Sequence, residues 1–193
     1  FTNGAKTMEE LPSNAIIATG SLRRQALIKE LYPSFRCVGI RGNIETRLKI
    51  AHDKSYDAVL LSEVGLHRLQ LDPKRYCCNP KLFIPAPSQG IMAIQQRGSD
   101  LAIKEIVEKI SDHNYMVQFK IERYIMGGIG FDCSIPFGVY IQEKEKGFVL
   151  YCFIANHKLT QSKRFKVIMK TRQSFEVIDN LIMDLKKWLE TNV

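Results

Sequence analysis

Ala15-Ile16-Ile17-Ala18-Thr19-Gly20-Ser21-Leu22-Arg23-Arg24 is the stretch on which the fold turns. A short apolar run meets a Gly-Ser turn, and the residues after it predict a helix that ends before Pro33. The same order repeats twice. Phe35–Ile40 leads through Arg41-Gly42-Asn43 into a helix reaching about His52. Asp57–Leu61 leads through Ser62-Glu63-Val64-Gly65 into a short helix ending near Leu71. Short apolar runs separated by amphipathic stretches denote βαβ units and a parallel sheet.

Working outward, residues 1–12 read as a linker, and residues 72–90 as a Pro-rich connector carrying Pro73, Pro80, Pro85 and Pro87. Ile91–Gln95 is strand-like. Asp100–Ser111 reads as a helix with Leu101, Ile103, Ile106, Val107 and Ile110 in an apolar stripe. Tyr115–Met126 is a second helical stretch, with Gly127-Gly128 as its stop. Beyond Cys133 come three longer runs, Ile135–Gln142, Phe148–Ala155 and Lys163–Lys170, then a helix from about Ser174 to Leu189. Three antiparallel strands and a helix make a small α+β domain.

The 193 residues are 45% hydrophobic and 25% charged, which excludes disordered, collagenous and small disulfide-scaffold classes. No apolar run approaches the roughly 20 residues of a membrane span. The five cysteines are Cys37, Cys77, Cys78, Cys133 and Cys152. An odd count without CxxC, beside only 4 His, indicates neither a disulfide framework nor a zinc site and points to a reducing cytoplasm. Cys37 and Cys152 fall within strands and read as core, whereas Cys77-Cys78 lie in the connector with no partner suggested. The net charge of +8 favours a polyanionic partner. Nucleic acid fits poorly, because no helix-turn-helix, zinc finger or aromatic platform accompanies the basic residues. Much of the charge lies in Lys-rich stretches such as Lys144–Lys146, which read as solvated faces.

In a parallel sheet, ligands lie beyond the carboxyl ends of the strands, where helix N-termini offer free N–H groups. The three turns there hold Ser21, Arg23 and Arg24, then Arg41, Asn43 and Arg47, then Arg68. Arginine grips carboxylates bidentately and stays charged, so five arginines after consecutive strands suit a ligand with several carboxylates. Taken singly, such an arginine is ordinarily a solvated side chain, and Ser21 a helix cap. Glu63 reads as a partner for a neighbouring arginine. Cys133, in a loop before the last domain, is a candidate nucleophile or attachment point, or else an inert thiol.

Several of these blocks resemble a known family. Gly20-Ser21-Leu22-Arg23-Arg24-Gln25-Ala26 and Arg41-Gly42-Asn43-Ile44-Glu45-Thr46-Arg47-Leu48 resemble the paired signatures of porphobilinogen deaminase (hydroxymethylbilane synthase). Asp57–Leu61 with Gly65-Leu66-His67-Arg68-Leu69, Pro87-Ser88-Gln89-Gly90, and Glu122-Arg123 followed by Cys133-Ser134-Ile135-Pro136 are similar to further family blocks in the same order. The resemblance implies a transferase of haem and porphyrin biosynthesis. It joins four porphobilinogen units head to tail, with loss of ammonia, into the tetrapyrrole hydroxymethylbilane. Its dipyrromethane cofactor would be held by a thioether at Cys133. Ser21, Arg23, Arg24, Arg47 and Gln89 would bind that cofactor; Arg41, Gly42, Asn43 and Arg68 would bind substrate or the growing chain.

The fold implied is α/β. A periplasmic-binding-protein-like doubly wound lobe over 13–85 precedes a segment, 86–112, returning to a first lobe. A cofactor-bearing α+β domain with a three-stranded antiparallel sheet follows over 113–193. A cytoplasmic protein, monomeric at full length, is expected, with neither nucleic acid nor membrane as partner. Three departures stand out: Phe131-Asp132 for Gly-Gly, Glu63 within a stretch that is mostly Ala-rich in the family, and Ser88 for a glycine. The family's catalytic Asp lies in a Lys-Asp-Leu-Pro context absent here. The expectation is therefore that residues 1–193 are the carboxyl-terminal portion of a longer polypeptide, lacking the amino-terminal lobe and inactive alone. The rival reading is a non-catalytic anion-binding α/β module.

Overall fold

The computed structural model describes residues 5–53, 55–71, 75–130, 135–170 and 175–192. Its amino-terminal part alternates strand and helix as the turns dictate: β1 (Ile16–Ala18), α1 (Leu22–Leu31), β2 (Arg36–Val38), α2 (Ile44–Ile50), β3 (Ala58–Val59) and α3 (Glu63–Arg68). The strands form a parallel sheet in the order β2-β1-β3, with Ile17 opposite both Cys37 and Ala58. Central β1 is the apolar one, and Ile17 and Ala18 are fully buried. The Asp57 carboxylate accepts the Ile16 N–H at 2.8 Å, which ties the entry of β3 to that of β1.

The carboxyl-terminal part contains α4 (Leu101–Ile110), α5 (His113–Gly128), β4 (Phe137–Lys144), β5 (Gly147–Ala155), β6 (Ser162–Met169) and α6 (Phe175–Thr191). Its three strands form an antiparallel sheet in the order β4-β5-β6. On α6, Ile178, Leu181, Ile182 and Leu185 are buried, the i, i+3, i+4, i+7 spacing of a helix facing a core.

The two faces of this sheet pack against different things. Alternate residues Phe137, Val139 and Ile141, opposite Ile154, Cys152 and Leu150, point into a core with α5 and α6. The intervening Tyr140, Tyr151 and Phe153 point the other way, where Phe153 joins Ala26 and Leu27 of α1 and Ile84 of the connector. Burial on both faces explains why Cys152–Ala155 is apolar without alternation. Gly138 lets the connector in: a Cβ there would lie 2.7 Å from the Pro85 carbonyl, and the neighbouring Val139 N–H donates to that oxygen at 3.0 Å. Arg164 closes the rim of the seam, donating from Nε and Nη2 to the Glu30 carboxylate at 3.0 and 2.8 Å.

Three expectations need correction. Ile91–Gln95 forms no strand: no described strand lies alongside to take its N–H and C=O groups, and Met92 and Ile94 are exposed. The helix around Tyr115 starts at His113, because the Asp112 side chain accepts from the Asn114 and Tyr115 N–H groups. It also runs through Gly127-Gly128 instead of stopping there. Gly128 serves close helix packing, since a Cβ would lie 2.6 Å from the Ile182 side chain of α6.

Phe153→Ala should cost about 3–5 kcal/mol in urea denaturation, by loss of burial and an unfilled cavity. Glu30→Gln should cost under about 1 kcal/mol, as expected for a partly solvated ion pair. Equal losses would show that the ion pair, not the apolar seam, holds the two sheets together.

Candidate functional site

The turn after β1 delivers two arginines to one place. The Ser21 hydroxyl accepts the Arg24 N–H and starts α1, so Arg23 and Arg24 occupy its first turn. Arg23 turns inward and is buried. Its Nη1 donates to the Ile84 carbonyl and its Nη2 to Gln89 Oε1 at 3.2 Å. Arg24 donates from Nη1 to the Leu60 carbonyl at 2.9 Å, beyond the end of β3. These two arginines and Gln89 line a cavity of about 540 Å³, together with Leu60, Glu63 and Cys78.

The electrostatics of this corner are unusual. Among the described residues, no carboxylate forms an ion pair with Arg23 or Arg24. Burial depresses the Arg23 guanidinium to about 9, with repulsion from Arg24 adding to it. Burial lowers Arg24 as well, opposed by the Cys78 thiol and assisted by the positive charge of Arg47. A buried cation without a counter-ion is costly, and an anion entering the cavity would remove that cost.

Gln89 is held from behind. The turn Pro87-Ser88-Gln89-Gly90 carries positive φ at Ser88 (61°) and Gly90 (92°). Glu122 of α5, itself buried, accepts the Ser88 N–H through Oε2 and the Gln118 side-chain amide through Oε1 at 2.9 Å. Desolvation raises the Glu122 carboxyl above its ordinary value, against these hydrogen bonds. A chain of contacts therefore runs from α5 through the turn to Arg23. Sequence reasoning missed this role of Glu122; the available signal was a carboxylate beside Ile121 and Ile125 on the face of α5 that enters the core.

The other expected residues lie around this pair rather than within it. Asn43 caps α2, accepting the Thr46 N–H at 2.8 Å, and Gly42 supplies the positive φ of 107° that the turn needs. Arg47 Nε donates to the Gly42 carbonyl at 2.9 Å. Arg41 and Arg68 are exposed, and neither lines the cavity. Cys133 lies outside the described residues, as do Phe131 and Asp132. Glu63 does pair with an arginine: Arg75 Nε lies 3.3 Å away and the Cys77 thiol 3.5 Å away. Those two contacts hold its carboxyl below the usual range.

The family model described as "Porphobilinogen deaminase, dipyromethane cofactor binding domain" matches residues 1–105. The chain belongs to the porphobilinogen deaminase family. Its members are transferases of porphyrin and haem biosynthesis, and dipyrromethane is the cofactor of the matched domain. A "Probable porphobilinogen deaminase" of Methanocella arvoryzae is 41% identical over 137 residues, covering 70% of this chain and 45% of that protein. One from Hyperthermus butylicus is 36% identical over 162 residues, covering 84% and 53%. The "Porphobilinogen deaminase" of Clostridioides difficile is 37% identical over 145 residues, covering 73% and 48%. The chain thus spans about half the length of the curated relatives it matches. Among the described residues no helix is long and apolar enough to cross a membrane, and no cluster of three or more His, Cys, Asp or Glu could hold a metal.

Glu122 gives a pH prediction whose sign follows from its raised carboxyl. Protonation favours the folded state below the ordinary value of 4.5, and this contribution is lost as pH rises through the raised folded value. Glu122→Gln should therefore gain stability relative to the parent at pH 7, and the gain should shrink as pH falls toward 5. Urea midpoints at the two pH values measure it, and a pH-independent difference would contradict it.

Proposed function

We propose that this chain is the cofactor- and substrate-holding portion of a porphobilinogen deaminase, which condenses four porphobilinogen units into hydroxymethylbilane with release of ammonia. The observation that carries the reading is the pair of buried guanidiniums, Arg23 and Arg24, with no protein carboxylate to neutralise them, at one wall of a largely apolar cavity. Acetate- and propionate-bearing pyrroles match both properties: their carboxylates answer the charge, and their rings suit walls such as Leu60, Leu66 and Phe83.

In this reading Arg24 grips a carboxylate directly, while Arg23 contributes charge and fixes Gln89 against the pyrrole rings. Ser21 and Arg47 complete the cofactor set. Arg41, Gly42, Asn43 and Arg68, on the outer turns, receive substrate and the elongating chain. The dipyrromethane, joined to Cys133 through a thioether, supplies the primer on which the units are assembled.

The domain reading follows the same line. Residues 13–85 form one lobe of a two-lobed, periplasmic-binding-protein-like fold; 86–112 return to the first lobe, and 113–193 bear the cofactor. The exposed apolar side chains Met92, Ile94, Leu101, Ile103, Ile106 and Ile110 then dock on that first lobe. The relatives' greater length supports this, since it leaves room for such a lobe. The catalytic Asp belongs to that lobe, so the chain alone binds ligand without turning it over. The full-length protein is monomeric and cytoplasmic in this reading, with neither nucleic acid nor membrane as a partner.

Intact mass with peptide mapping across residues 131–136 tests the attachment, with a two-pyrrole adduct on Cys133 expected in material made beside the first lobe. Titration with porphobilinogen tests the site: Arg24→Ala should weaken binding about tenfold or more, the scale of a charge-assisted hydrogen bond. Carboxylate binding with an unmodified Cys133 under those conditions would favour the non-catalytic anion-binding module instead.

A further inference from the structure

Two thiols stand at the mouth of the cavity that the deaminase reading does not use. Cys77 is exposed and Cys78 half-buried, and both line the cavity wall opposite the sheet. Each has a charged neighbour. The Cys77 Sγ–H donates to Glu63 Oε1 at 3.5 Å, and Glu63 is also held by Arg75 Nε at 3.3 Å. Cys78 lies within electrostatic reach of the Arg24 guanidinium, which favours its thiolate against the burial that pushes the thiol up. The other described cysteines are set apart. Cys152 is fully buried in β5, and burial pushes the Cys37 thiol in β2 up to about 11. Thiol chemistry among the described residues is thereby concentrated on one dipeptide.

We propose that Cys77-Cys78 is a reversible oxidation site for hydroperoxides, closing to a vicinal disulfide that loosens the connector over the cavity. The steps balance. The Cys77 sulfur attacks a peroxide oxygen as its proton passes to Glu63 or water. The O–O bond breaks, the leaving oxygen departs as water or alcohol, and Cys77 becomes a sulfenic acid. The Cys78 thiolate then attacks the Cys77 sulfur, the S–O bond breaks, and the hydroxyl leaves as water. Overall the two thiols give up two electrons and two protons to the peroxide. Adjacent Cα atoms sit about 3.8 Å apart, inside the usual span for a disulfide, so the ring is strained and easily reduced again. Closing it also withdraws the Cys77 hydrogen from Glu63, leaving Arg75 as the main clasp between the connector and α3.

This inference does not rest on the deaminase reading, because its readout is the mass and exchange behaviour of the chain itself. The purified chain is treated with hydrogen peroxide, then mapped without reduction. The expected result is loss of two hydrogens within the peptide holding Cys77 and Cys78, restored by dithiothreitol. In Cys78→Ser the reaction should stop at a sulfenic acid on Cys77, trapped by dimedone. Amide exchange over residues 75–84 should quicken several-fold in the oxidised chain. A bond from either thiol to another cysteine, oxidation confined to other cysteines, or unchanged exchange after ring closure would overturn the proposal.

Discussion

The buried guanidinium of Arg23 is the constraint around which the rest is arranged. It projects from the first turn of α1 and reaches the connector twice, at the Ile84 carbonyl and at Gln89. A group that is charged, desolvated and without a carboxylate partner needs every hydrogen bond the fold can direct at it. The connector is held against the parallel sheet partly by that demand. Ile84, the residue whose carbonyl accepts from Arg23, is also the apolar link to Phe153 of the second sheet.

Glu122 carries the same logic to the other side of the turn. It is a buried carboxylate whose hydrogen bonds come from a backbone N–H and a neutral side-chain amide. A buried acid and a buried base thus sit on either side of Pro87-Ser88-Gln89-Gly90, each bonded to the turn and not to the other. The turn is fixed from both sides, and Arg23 still lacks a countercharge. That is the arrangement expected of a site kept ready for an anionic ligand, because a direct ion pair between the two would have satisfied the cation internally.

Much of this was legible in the residues. The strand-turn-helix grammar around Gly20 and Gly42, the three carboxyl-terminal strands and the apolar face of α6 follow from local periodicity, and the structure keeps them with small shifts of boundary. The pairing of Glu63 with an arginine was also readable. Less readable were features that depend on a neighbour distant in sequence. Ile91–Gln95 has strand-like composition yet no ladder, because a strand exists only beside another. Gly127-Gly128 looks like a helix stop, but Ile182 needs the space that Gly128 leaves.

Sequence by itself determined the chemical inventory and its order: arginines in the turns after short strands, a capped helix at Ser21, and motif blocks that place the chain in its family. Those are local properties, set by backbone preference, capping and residue type. Only the tertiary structure decided which arginines act together. Arg23 and Arg24 share one cavity wall with Gln89, whereas Arg41 and Arg68 stay exposed outside it. The physical reason is that desolvation and hydrogen-bond partnership depend on what the fold brings across from far along the chain. Ile84, Gln89 and Glu122 lie dozens of residues beyond the helix whose arginine they hold in place.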